Sequence, residues 1–151
     1  METKQMDLRH TITQLYRDYE SRNLDKILDA LPEDFCFEWA SDPGTARFSG
    51  TCHGKRELVE QLKDIAANFL FNAYRPLNIL VDGDSAAAQL QLDLTSVRTG
   101  RRFSARIAHF WSFKDGAPIH LVEYMDTALI ASESGARSEA LRGTGTDAQS
   151  E

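Results

Sequence analysis

Cysteine is scarce in this chain: two in 151 residues, Cys36 and Cys52, which allow at most one bridge and match no zinc or redox spacing. Both read as reduced thiols, as in a cytoplasmic protein. Positive charge is also in deficit, with 17 Lys and Arg against 23 Asp and Glu and a net charge of -6. That balance excludes a nucleic-acid partner, which needs clustered Lys and Arg. The single basic knot, Arg98, Arg101 and Arg102, flanks Thr99-Gly100 and reads as a solvated turn. No apolar run approaches the roughly 20 residues that cross a bilayer. The first ten residues, METKQMDLRH, lack the apolar centre of a signal peptide, so a cytoplasmic protein with no membrane partner is expected.

Metal-ligand spacing is missing as well. His109 and His120 are eleven apart, and no Glu-x-x-His or His-x-His occurs. There is no glycine-rich phosphate loop, no Gly-x-Ser-x-Gly elbow and no dinucleotide fingerprint, so the expectation is no metal and no cofactor.

What the chain does contain is an ordered change of periodicity. Ile12, Leu15, Tyr16 and Tyr19 fall on one face of a first helix; Leu24, Ile27, Leu28 and Leu31 repeat the spacing in a second, with Asn23 before it and Pro32 after it. Phe35, Phe37 and Trp39 alternate as in a strand, SDPGTARFSG reads as a loop, and Leu58, Leu62, Ile65, Ala66 and Phe69 return to helical spacing. From Tyr74 onward, Asp82-Gly83, Thr99-Gly100 and Asp115-Gly116 separate four strands near residues 75–81, 86–97, 103–113 and 118–128. Tight turns make these an antiparallel meander, and helices followed by strands make the class α+β. At this length one domain buries roughly two-thirds of its unfolded surface. Its expected extent is residues 1–131. Residues 132–151 hold one large aliphatic side chain, Leu141, and read as a disordered tail.

Five segments, LYRDYESRNLDKILDAL, GKRELVEQL, DGDSAAAQLQLDL, HFWSFKDG and EYMDT, together resemble the SnoaL-like and ketosteroid-isomerase-like proteins of the nuclear transport factor 2-like superfamily, over about residues 8–130. The resemblance implies a cone-shaped fold, three N-terminal helices packed on a strongly curved antiparallel sheet around an apolar pocket, and a homodimer formed through the outer sheet face. It implies a small-molecule ligand and cofactor-independent acid/base chemistry: isomerisation, cyclisation or dehydration of an apolar or polyketide-like substrate. A non-catalytic ligand-binding protein and a dimerisation module share the fold and stand as alternatives. An epoxide hydrolase is a lesser one.

The resemblance marks Asp126, in EYMDT, as the catalytic base, because a carboxylate in an apolar pocket is poorly solvated and its pKa rises toward neutrality. The competing structural reading makes it a cap on backbone amides. His109 shares the face of Ile107, Trp111 and Phe113 by alternation, as hydrogen-bond donor or proton shuttle, or else as a bonded core histidine. Tyr16, His53 and Tyr124 are candidate orienting groups, Tyr124 by sharing the face of Asp126, and Trp39 and Trp111 candidate apolar walls. Asp93 corresponds to the first aspartate of the epoxide-hydrolase pattern. Gln91 stands where that pattern has Arg, and Leu90, Leu92 and Leu94 leave Asp93 on the opposite face unless a bulge intervenes.

Overall fold

In the computed structural model, which describes residues 1–135, ten elements follow one another: α1 (Glu2–Glu20), α2 (Leu24–Ala30), β1 (Cys36–Trp39), β2 (Gly50–His53), α3 (Gly54–Asn68), β3 (Phe69–Asp82), β4 (Ser85–Ser96), β5 (Arg102–Lys114), β6 (Ala117–Tyr124) and α4 (Thr127–Ser134). The strands form one sheet in the order β2-β1-β6-β5-β4-β3. Strands β3 to β6 are the antiparallel meander the turns predict, and the short β1–β2 hairpin joins it through a parallel pairing of β1 with β6. The sheet is curved and unclosed, with helices on its concave side, so the α+β cone expected from the sequence is the observed class.

Periodicity places the core. Leu8, Ile12, Leu15 and Tyr16 of α1 are buried, as are Leu58 and Ile65 of α3. In β4 the inward residues are Ala86, Ala88, Leu90, Leu92 and Leu94; in β5 they are Phe103, Ala105, Ile107, His109, Trp111 and Phe113. Leu90 is fully shielded, and its truncation to Ala would cost about 2–5 kcal/mol. The β5–β6 turn runs through Asp115 and Gly116, both at positive φ, which is the backbone a two-residue hairpin turn requires.

The sheet also departs from plain alternation. Ser112 pairs with His120 but Phe113 with Pro118, so Ile119 is an extra residue that reverses the facing of everything after it. Pro118 therefore faces in, and so do Leu121 and Glu123, while Val122 and Tyr124 face out.

The last strand ends at Tyr124 rather than near residue 128, and a fourth helix follows it. Asp126 is the N-cap of α4, its Oδ1 accepting from the Leu129 amide at 3.0 Å. Residues 132–134, expected in the tail, belong to this helix. Glu133 is 4% exposed at its side chain and pairs with Arg101 at 2.8 Å; Ser96 and Arg98 donate to the carbonyls of Glu133 and Ser132. The rest of the expected tail, from residue 136, lies outside the described residues. No helix among the described residues is long and apolar enough to cross a membrane.

Candidate functional site

The helices do not fill the concave side of the sheet. They leave a cavity with about 100 Å3 open to the centre of a water-sized sphere. A single water needs about 10–15 Å3 of such space, so the cavity is several times larger than one water requires. Its walls are aromatic: Trp39 of β1 stacks on Phe37 at 3.8 Å, and Phe48, Phe69, Phe71 and Trp111 continue the lining. Ile130 of α4 and Met125 contribute as well, so the fourth helix is part of the enclosure.

One line of polar groups crosses this apolar wall. Trp111 Nε1 donates to Tyr16 Oη at 2.9 Å. Tyr16 Oη lies 2.9 Å from His109 Nδ1, and His109 Nε2 lies 2.8 Å from Glu123 Oε2. His109 is 2% exposed at its side chain and Glu123 14%. With the carboxylate ionised, Nε2 carries the imidazole proton and donates to Glu123, and Nδ1 accepts from the Tyr16 hydroxyl. Both imidazole nitrogens, the Tyr16 hydroxyl and the Trp111 indole are then satisfied. Burial raises the Tyr16 pKa well above its ordinary value, more than the Trp111 indole lowers it, which keeps this phenol protonated as the donor.

Glu123 is the residue that sequence reasoning missed. It stands directly opposite His109 in the β5–β6 register, and its Oε1 has no hydrogen-bond partner among the described residues. The usable signal was Leu121, Glu123 and Met125 alternating beside His109. The bulge at Ile119 decides between that set and the set holding Tyr124 and Asp126, and no residue type announces the bulge.

The sequence-marked residues therefore separate. His109, Tyr16, Trp39 and Trp111 line the cavity. Asp126 does not: it is exposed and engaged in capping α4, because the strand stops two residues before it. Tyr124 is 52% exposed on the outer face, packed edge-to-face on Phe110, and so cannot orient Asp126 in a pocket. His53 is exposed at the N-cap of α3, outside the lining, with Nδ1 3.8 Å from the Cys36 sulfur. Asp93 points to the outer face, where Arg102 Nε donates to it at 2.9 Å and holds its carboxyl below the usual range. With Asp93 and Asp126 both outside the cavity, the two-aspartate arrangement of an epoxide hydrolase is absent. Among the described residues no group of three His, Cys, Asp or Glu is placed to hold a metal ion.

A SnoaL-like domain matches residues 12–120, most of the described fold. The chain belongs to the SnoaL-like family. Solved structures share the SnoaL-like cone at low identity. An NTF2-like protein of unknown function from Burkholderia pseudomallei K96243 is 20% identical with TM-score 0.77, over 83% of this chain and 95% of that one. TerC, co-crystallised with polyporic acid, is 19% identical with TM-score 0.76, over 85% and 98%. A candidate isomerase of Bacillus subtilis is 15% identical with TM-score 0.75, over 88% and 96%. Identities this low carry the fold and not the reaction. No functionally curated protein matches the chain by sequence.

Proposed function

We propose that this SnoaL-like protein catalyses cofactor-independent proton transfer on a small apolar molecule, with Glu123 as the base. The observation that carries the reading is the His109–Glu123 contact: one carboxylate oxygen is fixed at 2.8 Å by a buried imidazole, while the other has no partner among the described residues and lies beside an aromatic cavity. A base needs that arrangement, held in position yet with a free lone pair toward the substrate. His109 and Tyr16 act as positioning groups. Trp111 holds Tyr16, and with Trp39 it forms wall. Isomerisation, cyclisation and dehydration all begin with such a proton removal, and the range of relatives, a candidate isomerase and a ligand-bound TerC among them, is consistent with it.

The test is deuterium uptake from D2O into a panel of cyclic ketones. Wild type is expected to exchange protons next to the carbonyl of at least one, and Glu123→Gln to lose at least 100-fold in rate with affinity within several-fold. Equal rates in the two proteins would overturn the assignment. Binding without exchange in wild type would favour the non-catalytic ligand-binding alternative.

The same reading includes a homodimer. Phe110, Tyr124 and Leu80 leave large apolar surfaces on the outer sheet face, 52%, 52% and 62% exposed, which supports a second copy packing there. Two free cysteines, Cys52 among the buried residues, fit a reducing cytoplasmic location.

A further inference from the structure

Helix α4 helps to close the cavity with little apolar surface of its own. Ile130 reaches the lining, joined by Met125 from the segment before the helix, and Ala131 is buried as well. Thr127, Ala128, Leu129, Ser132 and Ser134 are exposed or half-buried. Eight residues do not hold a helix in water by themselves, so α4 persists through what it docks on.

That docking is polar and gathered at one end. Ser96 Oγ donates to the Glu133 carbonyl at 3.0 Å, Arg98 Nη2 to the Ser132 carbonyl at 3.0 Å, and Ser134 Oγ to the Thr45 carbonyl at 3.2 Å. Arg101 Nη2 lies 2.8 Å from Glu133 Oε1, and the two halves of this ion pair differ: the carboxylate is 4% exposed and the guanidinium 61%. Gly135, the C-cap at positive φ, leaves room for Arg98, since a Cβ there would stand 2.8 Å from Arg98 Nε. At the other end the helix has only a tether. The Ala40 amide bonds the Glu123 carbonyl at 2.9 Å, β6 ends at Tyr124, and Met125 alone separates the strand from the cap Asp126.

A carboxylate as buried as that of Glu133 is stable only beside its partner; without Arg101 the cheaper place for it is water. To reach water the end of α4 must leave the sheet, and Ile130 leaves with it. Segments with few buried apolar contacts open at a free energy well below that of global unfolding.

We infer that α4 is a hinged lid on the cavity, pivoting at Met125 and latched by Arg101 on Glu133, and that molecules enter and leave when this latch releases. The lid is independent of the proton-transfer reading, because a cavity that only binds its ligand needs the same door.

The test reads access to position 130. The full chain carrying Ile130→Cys is treated with methyl methanethiosulfonate, a small uncharged thiol reagent, and the modified thiols are assigned by peptide mass. Cys52, buried in β2, is the native reference for opening of the sheet. The introduced thiol should react about 100-fold or more faster than Cys52, and about 100-fold or more slower than it does in urea. Adding Arg101→Met should speed it about tenfold without changing Cys52, and Arg101→Lys should keep it within about threefold of its parent. Gly135→Ala, which drives Arg98 off the helix end, should act in the same direction as Arg101→Met. If Ile130→Cys does not fold, amide exchange of residues 130–134 against residues 107–111 in the unsubstituted chain reads the same opening, with the same response to Arg101→Met. A thiol no more reactive than Cys52 would show that α4 moves only with global unfolding, and one as reactive as in urea would show that α4 is not docked. An Arg101→Met rate equal to that of its parent would show that access follows another route. Each of these three results overturns the lid.

Discussion

His109 and Glu123 face each other across β5 and β6, ring nitrogen to carboxylate oxygen at 2.8 Å, on the inner surface of a sheet whose outer surface carries the exposed Phe110 and Tyr124 next to them in sequence. The alternation of one strand pair thus assigns neighbouring residues to a cavity and to an exposed apolar face.

His109 also holds the interior together. His109→Leu removes the acceptor of the Tyr16 hydroxyl proton, leaving that oxygen only its bond from Trp111, and takes away the Glu123 carboxylate's partner, so the expected cost is about 2–5 kcal/mol in urea unfolding. Tyr16→Phe, which strands only the Trp111 indole and one imidazole nitrogen, should cost about 1–2 kcal/mol. A loss under about 0.5 kcal/mol for His109→Leu would show that the network is not satisfied in the folded protein.

Asp126 should behave as a helix cap and nothing more. Asp126→Ala is expected to lower stability by about 1 kcal/mol, read by thermal unfolding, through the lost bond to the Leu129 amide. Ligand affinity and deuterium exchange should stay within twofold. A 100-fold loss of exchange with the fold intact would return Asp126 to the mechanism.

Alkaline pH should unfold the protein steeply. Tyr16 and Tyr74 have folded pKa values raised above the unfolded value near 10, first by burial, so their stabilising contribution is complete below pH 10 and falls as pH rises beyond it. Each phenol adds up to about 1.4 kcal/mol per pH unit to that loss. Tyr74→Phe should flatten the slope between pH 10 and 11.5 by about one such increment, measured by urea midpoints across the range. An unchanged slope would show that Tyr74 ionises in the folded state as readily as in the unfolded one.

The proposed outer-face dimer predicts a disruptive pair. Phe110→Glu/Tyr124→Glu places like charges against each other across a two-fold interface and should yield a monomer by light scattering, with Tm lowered only by the loss of association. Wild type running as a monomer would remove the dimer, and a variant that stays dimeric would move the interface elsewhere.

Much of the fold was legible in the chain because periodicity is a local property. Ile12, Leu15, Tyr16 and Tyr19 fixed the buried face of α1 from spacing alone, and the Gly-bearing turns fixed the meander from β3 to β6. His109 beside Ile107 and Trp111 was readable for the same reason. Glu123 was not, because Ile119 inserts one extra residue into β6 and only pairing with β5 reveals it. Asp126 was misplaced because its role depends on where the strand stops, two residues earlier.

By itself the sequence determined an α+β chain without metal-ligand spacing, with aromatic residues in period with its core and a deficit of positive charge. The tertiary structure alone decided which acid faces the cavity and which tyrosine joins the hydrogen-bonded line there. Both depend on groups distant in sequence, His109 with Glu123 and Tyr16 with Trp111, and hydrogen bonds at that separation are written in register and burial rather than in any local pattern.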